Sequence, residues 1–239
     1  THPWIVGGVG FLYKSKLKNL LKDNFLSHDG PLHISTSKEI VLKKNILSGA
    51  MYMSAKEDAK IYKEIIKDFL CVAPKYGKKI ARSIFKKDLK CGNIFMHLEE
   101  PSKIENKITL DNKIKDANGI PITNLYYKKS KESIIAAKTI LGEFAEVCRK
   151  LDLGRIAISK NIDEEKDYES LGVYHHIGGT RIGTDSKTSV VDTNLKIHGS
   201  SNLYVAGSSV FPTSGYTNPT FTIVKLSLRL GEHIMKKII

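Results

Sequence analysis

Apolar residues recur along this chain with two periods, and the changes from one to the other mark out its elements. A helical period runs through Ile61, Ile65, Ile66, Phe69 and Leu70, behind the capping-box pattern Ser54-Ala55-Lys56-Glu57, and predicts a helix starting there. Residues 75–90 repeat the period with Ile80, Ile84, Phe85 and Leu89 on one side and lysines flanking them, a basic amphipathic segment. From Cys91 the pattern turns to strands: residues 93–98 and 107–110 alternate or run apolar, and Ala117-Asn118-Gly119-Ile120-Pro121 is a turn ahead of residues 122–127. The longest helix covers residues 131–152. Its face is Ile134, Ala137, Leu141, Phe144, Val147, Cys148 and Leu151, and Gly154 is its stop. Residues 160–170 are charged and predict an exposed loop. Residues 14–50 predict loop, short helix and short strand, with a turn at His28-Asp29-Gly30-Pro31.

Two polar clusters follow, separated by the short apolar run Leu203-Tyr204-Val205-Ala206-Gly207, which predicts a strand. The first is His175-His176-Ile177-Gly178-Gly179-Thr180-Arg181-Ile182-Gly183. The second ends in Asn218-Pro219-Thr220, where Pro219 suits a first helical position and Asn218 an N-cap. Phe221, Val224, Leu228 and Ile234 then supply buried contacts at helical spacing to the C-terminus. Strand, small-residue turn and helix in that order are the layout of an α/β ligand site, with backbone N–H groups facing the ligand.

Composition narrows the class. The hydrophobic fraction of 41% and charged fraction of 26% describe a globular protein, and no apolar run reaches the ~20 residues that span a bilayer. The net charge of +13 raises nucleic-acid binding, but the cations are nearly all lysine and no nucleic-acid motif accompanies them. Nucleic acid is therefore set aside. Cys71, Cys91 and Cys148 form no C-x-x-C pair and no zinc spacing, so they are expected to be buried free thiols of a reducing, cytoplasmic compartment. The basic segment 75–90 is a solvated helix face, or a surface for an anionic membrane or an acidic electron acceptor. Gly7-Gly8-Val9-Gly10 lacks the third glycine and the downstream acid of a dinucleotide fingerprint.

The candidate chemistry sits in the polar clusters. A neutral imidazole is suited to removing a hydroxyl proton near neutral pH. A His-His pair also packs, caps or binds metal, with Asp185, Asp192 and His198 as further ligands, although no metal is assigned. Arg181 is available to neutralise an anion or to pair with Asp185 or Asp192. Gly178, Gly179 and Gly183 allow a tight turn beneath a planar ring, or an ordinary loop.

Four motifs in order carry a resemblance: His175 to Gly183, Val190-Val191-Asp192, Asn202 to Thr213, and Asn218-Pro219-Thr220. Together they resemble the C-terminal signature of the glucose–methanol–choline oxidoreductases, FAD-dependent enzymes that oxidise alcohols and sugars. Ile182 stands where methionine is usual, a conservative change. The resemblance implies that His175, rather than His176, is the catalytic base and that Asn218 is its partner. It implies cofactor contacts at Gly207, Ser208, Asn218, Pro219 and Thr220. Glu99-Glu100-Pro101 and the strand and turn after it are also family-like, and His97 is pocket-lining or structural.

The fold so implied is α+β: an antiparallel substrate-domain sheet with helices over residues 1–170, and a segment 171–239 completing an FAD-binding α/β domain. The N-terminal βαβ unit that carries G-x-G-x-x-G in the family has no counterpart in this sequence. The chain is therefore expected to be a fragment, a split-gene product or a truncated homologue, whose partners are that missing region and a small alcohol or sugar, with the electron acceptor left open. The rival reading is a non-catalytic remnant or binding subunit without a complete FAD site.

Overall fold

The computed structural model describes residues 4–21, 32–56, 60–73, 76–86, 91–159, 162 and 175–238. The turn expected at His28–Pro31, most of the loop at 160–170 and Glu57 of the capping box lie outside them. In chain order the elements are β1 (Trp4–Tyr13), α1 (Lys14–Leu21), β2 (Leu32–Ser35), α2 (Lys38–Lys44), β3 (Gly49–Met53), β4 (Ala55–Lys56), α3 (Tyr62–Val72) and α4 (Gly77–Phe85). There follow β5 (Asn93–Leu98), β6 (Lys107–Lys115), β7 (Pro121–Tyr126), α5 (Lys131–Leu151), β8 (Gly154–Ile158) and α6 (Thr220–Ile238). The chain divides into two compact units: one is residues 1–3, 99–131 and 173–239, the other residues 4–98 and 132–172.

The second unit is built on β1. This strand pairs antiparallel with β5 and β8 and, at Leu12–Tyr13, parallel with β4, while β3 joins β5 to β2. The architecture is α+β with a mainly antiparallel sheet. Strand alternation puts Ile5, Met51, Met53, Ile94, Met96 and Leu98 in one core with Ala136, Ala137, Ile140, Leu141 and Cys148 of α5. Each fully buried Leu, Ile or Met contributes about 1.5–3 kcal/mol, so this shared core holds α5 on the sheet. The glycines of 7–10 lie inside β1 and serve packing. A Cβ on Gly8 would meet the Ala157 carbonyl, and one on Gly154 would meet the Phe11 carbonyl, so β1 and β8 approach closely at both places.

Several expectations change here. The Ser54–Glu57 pattern does not start a helix, because Ala55 and Lys56 pair with Leu12 and Tyr13; α3 begins at Tyr62 behind Ile61. Its buried residues are Asp68, Leu70 and Cys71, whereas Ile61, Ile65, Ile66 and Phe69 are exposed. On α5 the buried positions are Ser133, Ala136, Ala137, Ile140, Leu141 and Cys148, with Val147 and Leu151 exposed. The left-handed residue after α5 is Asp152 (φ +47°), held by an Arg155 guanidinium bond of 2.8 Å, and Gly154 opens β8 instead of stopping the helix. The expectation of free thiols fails for two of three cysteines: Cys71 and Cys91 form a disulfide with Cα atoms 5.4 Å apart, and only Cys148 is free and buried. The reason is that α3 and the entry to β5 bring distant positions together, which spacing along the chain does not reveal.

The first unit holds the β6–β7 hairpin and the C-terminal segment. The hairpin turns at Asp116–Gly119, where the Asp116 carboxylate accepts the N–H groups of Asn118 and Ile120 at 2.9 Å. The C-terminal segment packs around Val191, Leu195, Val210 and Leu230. Residues 203–207 are not a strand: only Tyr204 makes a bridge, to Lys196, while Val205 N–H donates to the Leu195 carbonyl. α6 starts one residue later than expected. Ile223 N–H donates to the Pro219 carbonyl at 3.0 Å, which makes Pro219 the cap and puts Asn218 outside the helix. The buried side of α6 is Leu226, Leu230 and Ile234, and Phe221, Val224 and Leu228 are exposed on the opposite side.

Candidate active site

The polar clusters are joined by a backbone ladder. Gly178 N–H donates to the Ser208 carbonyl (3.2 Å), Thr180 N–H to Ser209 (3.0 Å) and Ile182 N–H to Val210 (2.8 Å). Side chains reinforce it: the Ser208 hydroxyl donates to the His176 carbonyl at 2.6 Å, and the Thr180 and Ser209 hydroxyls meet at 2.7 Å. Residues 178–182 are thereby laid along the short 3₁₀ turn Ser208–Val210, which follows Gly207 at φ +121°, ψ −176°. That backbone region is open essentially to glycine alone.

Beneath the ladder, Val191 and Val210 are fully buried. The Asp192 side chain builds its own turn by accepting the N–H groups of Asn194 (2.8 Å) and Lys196 (3.0 Å). Burial pushes the Asp192 carboxyl up, but these N–H donors outweigh it and hold the group below the ordinary carboxylate range. His198 Nε2 lies 2.8 Å from the Ser189 hydroxyl. Arg181 makes neither of the ion pairs weighed for it; its Nε donates to the Thr188 carbonyl.

His175 is half-buried and His176 exposed. Burial first, and the adjacent His176 second, lower the His175 pKa below the ordinary imidazole value, so its ring is neutral at pH 7. A ring in that state is equipped to accept a proton.

Two clefts open on this segment. One, of about 400 Å³, is lined by Ile177, Gly178, Gly179, Arg181, residues 187–190 and residues 211–214, and on the other side by Glu100, Ser102, Lys103, Asn106 and Tyr127. Its walls are stapled together: Glu100 N–H donates to the Ser214 hydroxyl (3.1 Å), which donates back to the Glu100 carbonyl (3.2 Å), and the Ser102 hydroxyl donates to the Pro212 carbonyl (3.2 Å). The buried Glu100 carboxylate accepts Ser130 N–H at 2.8 Å. Burial, then the charge of Glu100, push the Tyr127 phenol up to about 12, so it remains a hydroxyl donor. Sequence reasoning did not find Ser102, Ser214 or Tyr127, because no periodicity or motif marks them. The second cleft, of about 340 Å³, is lined by Ile182, residues 210–215, Thr217, Asn218, Pro219, Thr222 and Leu226. Asn218 thus lines this cleft, and His175 lines neither.

A family model described as GMC oxidoreductase matches residues 102–227, just over half of the chain and all of the ladder. The chain belongs to the GMC oxidoreductases. Relatives within this class include the large subunit of fructose dehydrogenase from Gluconobacter japonicus, 27% identical over 159 residues, which are 66% of this chain and 28% of that protein. A C-glycoside 3-oxidase from Microbacterium trichothecenolyticum is 35% identical over 125 residues, 52% of this chain and 23% of the relative. Pyranose 2-oxidase from Tricholoma matsutake is 43% identical over 65 residues, 27% of this chain and 12% of the relative. The matched stretches thus span about a quarter or less of these relatives. GMC oxidoreductases are generally flavin-dependent, and among the described residues no helix is long and apolar enough to cross a membrane.

Proposed function

We propose that this chain is the flavin-facing and substrate-facing part of a GMC oxidoreductase that oxidises a CH–OH group of a sugar or another alcohol. The observation that carries the reading is the ladder pinning Gly178–Ile182 onto Ser208–Val210. The residues present fit one half of an FAD. Gly179, Gly207 and Gly215 each have positive φ and leave open space where a Cβ would stand, so each offers backbone without a side chain to a planar ring.

In this reading Gly207, Ser208, Asn218, Pro219 and Thr220 hold the cofactor. FAD, when bound, supplies the acceptor for the hydride leaving the alcohol carbon. His175 takes the hydroxyl proton on its neutral ring nitrogen, for which its lowered pKa prepares it. Asn218 donates from its amide to the substrate oxygen and so orients it. Ahead of it lies the positive end of the α6 dipole, suited to stabilising developing negative charge.

In this reading residues 171–239 complete the flavin domain and residues 1–170 are the substrate domain, a functional division that differs from the compact units in placing residues 99–131 with the latter. The exposed stripe Phe221, Val224 and Leu228 on α6 supports this, since such a stripe needs a cover that a flavin domain's remaining part would supply. The test is flavin reduction by stopped flow in the flavin-loaded full-length protein. His175→Ala is expected to slow it roughly 10²–10⁴-fold and His176→Ala far less. Equal rates for His175→Ala and the parent would leave the non-catalytic reading standing.

A further inference from the structure

Between β4 and β5 the second unit carries the helical pair α3–α4, whose base is tied to the sheet by the Cys71–Cys91 disulfide. Its surface is unusual. Tyr62, Ile65, Ile66 and Phe69, at i, i+3, i+4 and i+7, form one face of α3 and are 83%, 51%, 39% and 71% exposed. The buried Cys71 lies on the opposite side of that helix. On α4, Ile80 and Ile84, one turn apart, are 43% and 59% exposed. Single exposed apolar residues need no explanation, but four on one face of α3, with two more on the helix packed against it, mark an interaction surface.

The charge beside this face is mainly positive. Lys60, Lys63, Lys67, Lys79, Arg82 and Lys86 stand on the described part of the pair. Of its carboxylates, Glu64 is exposed, while Asp68 is buried and paired with Lys56. The Lys63 and Lys67 ammonium groups lie 5.8 and 5.6 Å from the Phe85 ring, so both are held where the helices meet. The pair also lies outside residues 102–227, the stretch matched by the family model.

We propose that the α3–α4 face docks this protein peripherally on an anionic phospholipid bilayer. Phe69, Tyr62 and the isoleucines enter the boundary between headgroups and acyl chains, and the lysines meet lipid phosphates. An acidic protein surface would answer the cations but leave the apolar face wet. A bilayer answers both, as amphipathic helices with basic flanks do. Each lysine near such a surface raises partitioning by roughly five-fold.

Flotation of the oxidised 239-residue chain with phosphatidylcholine vesicles, with and without phosphatidylserine, tests this. The chain is expected to float with phosphatidylserine vesicles, to stay behind with phosphatidylcholine alone, and to lose binding as salt rises. Phe69→Asp and the double variant Lys60→Glu/Lys79→Glu are each expected to cut bound protein by roughly ten-fold or more, with unchanged circular dichroism and melting temperature. No flotation with phosphatidylserine vesicles overturns the proposal. So does binding that both variants retain, or capture on polyglutamate beads that Phe69→Asp leaves intact, which would point to an acidic protein partner.

Discussion

The Ser208 hydroxyl donates to the His176 carbonyl at 2.6 Å, across 32 residues of sequence. This bond fixes the backbone next to His175, and its donor follows the glycine that turns the chain at φ +121°. The position of the imidazole therefore depends on a glycine and a serine as much as on the histidine itself.

Ser208→Ala is expected to cost about 1 kcal/mol, the usual worth of one hydrogen bond. Gly207→Ala is expected to cost more, roughly 1–3 kcal/mol, through backbone strain alone, since no atom lies within 4 Å of the added Cβ. Urea denaturation with an unchanged m-value would read both. A Gly207→Ala protein as stable as the parent would remove the argument from backbone geometry.

The lowered pKa of His175 bears on both chemistry and folding. If His175 is the base it must be unprotonated, so the acid limb of a pH–rate profile for flavin reduction should have its midpoint below about 6.5. For folding, the unfolded chain binds the proton more readily. The neutral ring's contribution is therefore present above the unfolded pKa and is lost as pH falls from about 6.5 toward the folded value. An NMR titration of the His175 ring proton with a midpoint above 6.5 would contradict both statements.

The cysteines make a third case. The Cys71–Cys91 bond closes a loop with a sequence separation of 20, so reduction or Cys71→Ser should cost roughly 3 kcal/mol. Burial pushes the Cys148 thiol up to about 11, so the native oxidised chain should resist iodoacetamide. Mass spectrometry should find one alkylated cysteine after denaturation alone and three after denaturation with reductant. Three alkylated cysteines without reductant would show the bond to be absent.

Local periodicity made some of this fold legible and non-local contact hid the rest. The strand at 93–98, the 117–121 turn and the long helix at 131–152 were readable because their signals are contained in their own residues. The Ser54–Glu57 pattern misled because Ala55 and Lys56 find a strand partner more than forty residues away in Leu12 and Tyr13. On α6, Phe221, Val224 and Leu228 have the same helical spacing as Leu226 and Leu230, so periodicity shows two stripes without saying which is buried. At the site, the order of the polar motifs was visible. The Ser214–Glu100 and Ser102–Pro212 staples were not, since they join residues separated by 114 and 110 positions.

Asn218 offers the sharpest division between structure and chemistry. As an N-cap it would stabilise α6 by about 1 kcal/mol. The first helical bond, however, runs from Ile223 N–H to the Pro219 carbonyl, which leaves Asn218 exposed and one residue outside the cap. Asn218→Ala should accordingly change stability by no more than about 0.5 kcal/mol, the range of surface substitutions. If the amide orients the substrate oxygen, the same variant should slow flavin reduction in the flavin-loaded full-length protein while its melting temperature stays put. Asn218→Asp goes further. It keeps the shape, removes the amide donor and adds a negative charge where the reaction develops one, so it should reduce flavin more slowly than Asn218→Ala. Measuring both variants by stopped flow and by thermal melting separates the roles. Parent-like rates in both would leave Asn218 with no part in the chemistry, and a loss of 1 kcal/mol in Asn218→Ala would restore it as a cap.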